Sequence, residues 1–248
     1  MSELRWTTET ATAGSACERE FTLERAGQVI PGIAWHPVRA ERAVPLVLLG
    51  HGGSGHKRSE KMLKLGRIFS EQYGWWAVAI DGPVHGARGP VAAATDPAYR
   101  LMWQRANVVQ EMIDDWRAVL DALGAQDETD ASRVGYWGLS MGTMFGLPYV
   151  ANDSRIRAAV LGKAGLRGPS VVRSGIDKHF RIHAPAVAIP LLFVMQWDDE
   201  RFDRDGQLEL FTSLASRDKR LHAYPGPHSD DGPEAFEVGA AFLARYLA

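Results

Sequence analysis

Ser140 stands in Gly138-Leu139-Ser140-Met141-Gly142, between a short strand pattern at 133–137 and a segment of helical spacing from Met141 to Ala151. A hydroxyl on a sharp strand-to-helix turn is lifted clear of the fold, and the residues two before and two after it must be small because backbone segments crowd there. Such a turn holds its serine in strained φ/ψ, at the start of a helix whose dipole favours developing negative charge. The pattern is that of a nucleophile. A serine hydroxyl is weak until a base takes its proton, so a histidine is needed, and a carboxylate to orient it. Of the eight histidines, His228 lies in Tyr224-Pro-Gly-Pro-His228-Ser-Asp-Asp, a Gly/Pro loop between the last strand pattern and the final helix. His36, His56, His179, His183 and His222 lack that setting and read as surface or packing residues. His51 and His85 follow apolar runs; His51 reads as shaping its loop by hydrogen bonding, and His85 as doing the same or lining a pocket. For the acid, Trp197-Asp198-Asp199-Glu200 offers two neighbouring aspartates directly after the apolar run 191–196.

These side chains need a frame that brings them together. Residues 18–25 and 28–36 read as two strands around Ala26-Gly27, a hairpin opening the fold. Val44–Leu49 is a continuous apolar run emptying into His51-Gly-Gly-Ser-Gly55, as a strand buried on both faces would be. Then follow a helix at 59–73, a strand at 75–80, a long helical pattern over 99–123, a strand at 133–137, a helix at 141–151 and a strand at 156–162. The series closes with a strand at 190–196, a helix at 205–215, a strand at 219–224 and a helix at 231–247. Such alternation predicts an α/β fold, with a mostly parallel central sheet and helices on both faces. Residues 1–248 read as a single domain, with 1–17 a loose N-terminal segment and 163–189 a short insertion near the site, too short for a large cap domain. In sheets of this kind chemistry gathers beyond the carboxyl ends of the strands.

With these motifs in this order, the chain resembles the α/β-hydrolase superfamily, in particular its small esterases and dienelactone-hydrolase-like members, over about residues 20–248. Four features carry the resemblance: His51-Gly-Gly-Ser-Gly55, Gly138-Leu-Ser-Met-Gly142, an aspartate after the 190–196 strand, and His228 near the C-terminus. This fold orders its catalytic residues as Ser, then Asp or Glu, then His. The resemblance implies His228 as the base. Similar proteins show Gly-x-x-Asp with an apolar residue three beyond; Gln196 takes the Gly place here, which selects Asp199, with Phe202 in the apolar position and Asp198 as the rival. Oxyanion donors would be the backbone of Met141, the residue after the nucleophile, and of Gly53, the residue following His-Gly. Dienelactone hydrolases typically carry cysteine where this chain has Ser140, so their particular substrate does not transfer.

The expected activity is hydrolysis of carboxylic esters, short-chain ones in view of the missing cap, through an acyl-enzyme and without metal or organic cofactor. Thioesterase, amidase or peptidase action and acyl transfer are alternatives on the same residues, as is a non-catalytic binding protein on this fold. His85, Trp103 and Trp197 are expected near the substrate. Lys163, Arg167, Arg173, Lys178 and Arg181 stand against Asp177 alone within 163–189, so this segment could draw anionic esters. Its other reading is a solvated cationic face. The loop Gly50–Lys57 fits neither phosphate-binding glycine pattern, and His51, His56 and His85 lack metal-ligand spacing. With 28 Lys plus Arg against 30 Asp plus Glu there is no positive field for nucleic acid. One cysteine, Cys17, excludes an internal disulfide. The first residues carry no apolar signal core, and the longest apolar stretch, 184–197, is too short to span a bilayer. A cytoplasmic enzyme with a small-molecule partner and no membrane contact is the expectation.

Overall fold

The structure, a computed structural model, describes residues 4–11, 15–232 and 234–248. Nine strands among the described residues form one sheet: β1 (Leu4–Ala11), β2 (Ala16–Arg25), β3 (Gln28–Pro37), β4 (Val44–Gly50), β5 (Trp76–Ile80), β6 (Thr129–Gly138), β7 (Ile156–Gly162), β8 (Leu191–Gln196) and β9 (Lys219–Tyr224). Their order is β1-β2-β3-β5-β4-β6-β7-β8-β9. β4 to β9 run parallel to one another, while β1, β2 and β3 add an antiparallel flank. β2 and β3 are joined by the two residues Ala26 (φ 49°) and Gly27 (φ 76°), so the hairpin turn takes positive φ at both positions.

Among the described residues eight α-helices accompany the sheet: α1 (Glu60–Arg67), α2 (Pro97–Trp103), α3 (Val108–Gly124), α4 (Met141–Asn152), α5 (Pro169–Ser174), α6 (Asp177–His183), α7 (Arg204–Ser213) and α8 (Ala235–Leu247). The apolar runs of the central strands feed two cores by the two-residue alternation of a strand. Leu46 and Leu48 of β4 pack with α3 and α4 through Trp116, Met144 and Phe145. Val47 and Leu49 pack on the other face with Met62 and Leu65 of α1 and Leu243 of α8. None of the helices among the described residues is long and apolar enough to cross a membrane.

Two expectations are corrected. Residues 4–11 are not a loose segment: β1 pairs with β2 from Leu4↔Leu23 to Ala11↔Cys17. Trp6 anchors it, meeting Phe21 edge-on at 5.7 Å and Trp76 at 6.2 Å, with the Arg19 guanidinium 4.0 Å over its ring. A polar composition concealed one aromatic residue able to hold an edge strand. Residues 1–3 and 12–14 of that segment lie outside the described residues. The long helical pattern over 99–123 is two helices, the first opened by Asp96, whose carboxylate accepts the Ala98 N–H at 2.8 Å. It ends at Trp103, and Gln104–Asn107 form a break before α3, Asn107 being a residue whose side chain competes with helical backbone bonding.

The insertion 163–189 folds into α5, α6 and a 3₁₀ turn over Ala184–Ala186, with α5 against α2. Because β4, β6, β7, β8 and β9 are parallel, the loops holding Gly53, Ser140, Lys163, Asp199 and His228 leave the sheet on the same edge.

Candidate active site

Ser140 follows β6 and caps α4 with φ 58° and ψ −120°, a conformation that L-residues adopt only under constraint. Its N–H donates to the Gly162 carbonyl at 3.0 Å, which ties the turn to the end of β7. The Thr143 hydroxyl lies 2.7 Å from the carbonyl oxygens of both Gly138 and Gly162 and accepts the Gly162 N–H at 2.8 Å. Beneath the turn, the buried Tyr136 hydroxyl donates to the Gly142 carbonyl at 2.8 Å. A Cβ on Gly138 would stand 2.6 Å from the Gly142 carbonyl oxygen, so the elbow closes only with glycine there. Strain of this kind costs on the order of 1–3 kcal/mol and persists because the surrounding bonds over-determine it.

The structure brings Ser140, His228 and Asp199 into one chain of contacts. Ser140 Oγ is 2.8 Å from His228 Nε2, and His228 Nδ1 is 2.8 Å from Asp199 Oδ2. A carboxylate at Nδ1 calls for a proton on that nitrogen, which leaves the Nε2 lone pair facing the serine hydroxyl. Asp199 Oδ1 accepts the N–H groups of Arg201 at 2.8 Å and Phe202 at 3.0 Å, and its side chain is fully buried. Phe202 also covers the His228 ring, the two ring centres 5.8 Å apart. Asp198 points elsewhere: it is largely exposed, accepts the Gly226 N–H at 3.2 Å and faces Arg204 at 3.6 Å.

The loop after β4 is shaped by two buried histidines. His51 donates from Nδ1 to the Gly52 carbonyl at 2.9 Å and accepts the Gly82 N–H on Nε2 at 2.9 Å, an arrangement that needs neutral imidazole. Burial lowers its pKa to about 4, which agrees with that tautomer. His85 packs its ring nitrogens against the Pro83 and Gly53 carbonyls at 2.7 and 3.1 Å. Gly53 thereby has its carbonyl fixed from one side. Tyr99 covers it from another, where a Cβ on Gly53 would meet the phenol oxygen at 2.8 Å. Met141 is the first residue of α4, a position whose N–H has no acceptor within the helix.

A cleft of about 360 Å³ opens at Ser140, walled by Met62, Leu65, Trp137, Leu139 and Phe236 and edged by Gly53, Lys61, Lys163 and His228. None of the three residues expected near substrate lines this cleft. His85 is buried as loop support. Trp103 is buried and stacks on Phe145 at 4.7 Å. Trp197 is exposed, with the Arg204 guanidinium 4.1 Å above its ring. The positive excess of 163–189 is partly offset by acids from other segments, since Arg167 and Arg181 share Glu209 at 3.3 Å. Lys163, the member that reaches the cleft, pairs with Asp231 at 2.7 Å. Among the described residues no group of three or more His, Cys, Asp or Glu side chains could hold a metal ion. Sequence reasoning missed Glu200, whose carboxylate accepts the His228 N–H at 2.8 Å; its position beside Asp199 was the available signal.

No protein-family model matches the chain, and comparison with curated proteins returns no match. Among solved structures it is similar to a cold-adapted esterase from an Arctic intertidal metagenomic library, in its complex with polyethylene glycol. Identity is 36% over 98% of this chain and 100% of that one, with a TM-score of 0.87. An acetyl xylan esterase from a Paenibacillus species (19% identity, 99% and 89% covered, TM-score 0.71) shares the fold. So does a protein described as a dienelactone hydrolase from Klebsiella pneumoniae (20% identity, 94% and 100% covered, TM-score 0.75). The order of strands, the elbow at Ser140 and the likeness at 36% identity along nearly the whole chain place this protein in the α/β-hydrolase superfamily, among its small esterase-like members.

Proposed function

We propose that the protein is a serine esterase that cleaves short-chain carboxylic esters through an acyl-enzyme. The observation that carries this reading is the unbroken relay from Ser140 Oγ to His228 Nε2 and from His228 Nδ1 to Asp199 Oδ2, each step 2.8 Å. The relative at 36% identity bears the name of an esterase, which supports ester hydrolysis as the reaction class. Ser140 Oγ attacks the ester carbonyl carbon while its proton passes to His228 Nε2, and Asp199 stabilises the imidazolium that forms. The carbonyl oxygen becomes an oxyanion, for which the N–H groups of Gly53 and Met141 are the donors; such donors contribute roughly 3–4 kcal/mol. Collapse breaks the bond to the leaving alcohol, which takes the proton from His228. Water, deprotonated by the same imidazole, then releases the acid and restores Ser140.

The preference for short acyl chains is supported by an insertion that supplies only α5, α6 and a 3₁₀ turn in place of a cap. The test is hydrolysis of p-nitrophenyl acetate together with labelling by a fluorophosphonate. Wild-type protein labels at Ser140 and turns over, and Ser140→Ala does neither while melting normally. Labelling that survives in Ser140→Ala places the nucleophile elsewhere.

A further inference from the structure

His228 is held by its peptide groups as well as by its ring. Its N–H donates to Glu200 Oε2 at 2.8 Å, and its carbonyl accepts from Lys163 Nζ at 3.3 Å. The two side chains come from the ends of neighbouring strands, Glu200 after β8 and Lys163 after β7. Lys163 Nζ donates as well to the Asp230 carbonyl and, at 2.7 Å, to Asp231 Oδ1, so its three protons have three acceptors, all in the loop that carries His228.

The lysine reaches this loop from a costly position. It is 3% exposed and sits at φ 46°, in the left-handed region. Gly162 before it packs so closely on β8 that a Cβ would lie 1.9 Å from the Val194 carbonyl oxygen. Burying a charge and holding a non-glycine residue in the left-handed region both cost free energy, and at Lys163 that cost coincides with three hydrogen bonds to the His228 loop. Lys163 also lines the cleft at Ser140, next to the group it would serve.

We propose that Glu200 and Lys163 form a charge-assisted clamp on the main chain of His228, two positioning residues that hold the imidazole between Ser140 and Asp199 and bias its basicity in opposite directions. The proposal rests on the reading of His228 as the general base. The charged groups on the elements packed around His228 are Asp199 at its ring, Glu200 and Arg201 from the loop after β8, Lys163 from the end of β7, Asp230 and Asp231 on its own loop, and Lys61 of α1. Lys61 pairs with Asp231 at 2.6 Å, so the Asp231 charge is divided between two ammonium groups. Glu200 is exposed and therefore screened by salt, whereas Lys163 is buried and is not.

The test titrates the His228 imidazole directly, by NMR of protein with ¹³C-labelled histidine, the resonance identified by its loss in His228→Asn. Glu200→Gln keeps an acceptor oxygen and removes the charge, so the His228 pKa falls, by about half a unit at low salt and by less at 0.5 M salt. Lys163→Met removes the opposite charge, so the pKa rises by about half a unit at either salt, and Lys163→Arg stays near wild type. In parallel, kcat for p-nitrophenyl acetate falls about tenfold in Lys163→Met with KM within twofold, and recovers in Lys163→Arg. An unchanged titration in both folded charge variants, or shifts of the same sign, overturns the clamp. If Lys163→Met does not fold, Glu200→Gln decides alone through its salt-sensitive downward shift. Turnover that persists in His228→Asn defeats the general-base reading instead, and the titrations still decide the clamp.

Discussion

Gly142 and Gly50 meet backbone to backbone: a Cβ on Gly142 would stand 2.4 Å from the Gly50 carbonyl oxygen. This contact joins the elbow of Ser140 to the strand that launches the Gly53 loop, so the nucleophile and the proposed oxyanion donor are set by one approach of two main chains. Gly142→Ala cannot relieve the clash by rotating a side chain. We expect a loss of roughly 2–3 kcal/mol in stability and a larger proportional loss of kcat, read by thermal melting and by ester turnover. An alanine variant with wild-type melting and rate would show that the two loops are not coupled.

Asp199→Asn keeps the shape of the acid but offers the His228 ring an amide in place of a carboxylate, which favours the wrong tautomer. Its kcat should fall by about three to four orders of magnitude. Asp198→Asn, on an exposed side chain turned to Arg204, should stay within about twofold. The paired kinetic measurement decides between the two neighbours, and a reversed outcome moves the acid to Asp198.

The neighbouring aspartates also mark the boundary of what a sequence discloses. The serine, its flanking glycines and the histidine loop were readable because each obeys a local rule: a turn too tight for a Cβ, or a Gly/Pro loop after a strand. Lys163 was read only as one charge among five in its segment, because its partners Asp231 and the His228 carbonyl lie more than sixty residues away. Arg167 and Arg181 misled for the same reason, Glu209 being invisible to a count of local charge. Trp103 and Trp197 show the limit from the apolar side, since an indole looks the same in sequence whether it is buried on Phe145 or exposed under Arg204. The parallel strands were legible from their place in the strand-helix alternation, β4, β5 and β8 also from continuous apolar runs, whereas β1 was not, its hold on the sheet resting on the partly buried Leu4 and Trp6.

His51 gives stability a pH dependence with a definite sign. Burial lowers its pKa from 6.5 to about 4, so between those values the unfolded chain binds a proton that the folded protein refuses. Its contribution is complete above pH 6.5 and is lost as pH falls to about 4, on the order of 3 kcal/mol. Denaturant unfolding at pH 7 and pH 4.5 should show a smaller drop in His51→Asn than in wild type, even though both share the losses of their paired carboxylates. Equal drops would mean that His51 titrates normally.

A preference for short acyl chains is the expectation for a cleft without a cap domain. Met62, Leu65, Trp137, Leu139 and Phe236 form the apolar wall of the open cleft at Ser140, and the insertion 163–189 supplies only α5, α6 and a 3₁₀ turn. Acetyl to butyryl p-nitrophenyl esters should be cleaved at least tenfold faster in kcat/KM than the dodecanoyl ester, without a jump in rate when substrate forms micelles. A dodecanoyl ester that wins would remove the short-chain reading.

The turn between β2 and β3 holds a reserve that natural selection has left unused. Ala26 adopts φ 49° in a two-residue connection where asparagine followed by glycine is the favoured pair, and Gly27 is already in place. Ala26→Asn should therefore raise stability by about 0.5–1 kcal/mol, about 2 °C in Tm, while leaving ester turnover as it was, because the turn belongs to the antiparallel flank. A sequence kept only above the threshold its function requires has no reason to adopt the better residue, and the hairpin is a place where thermal tolerance can be engineered without touching the chemistry.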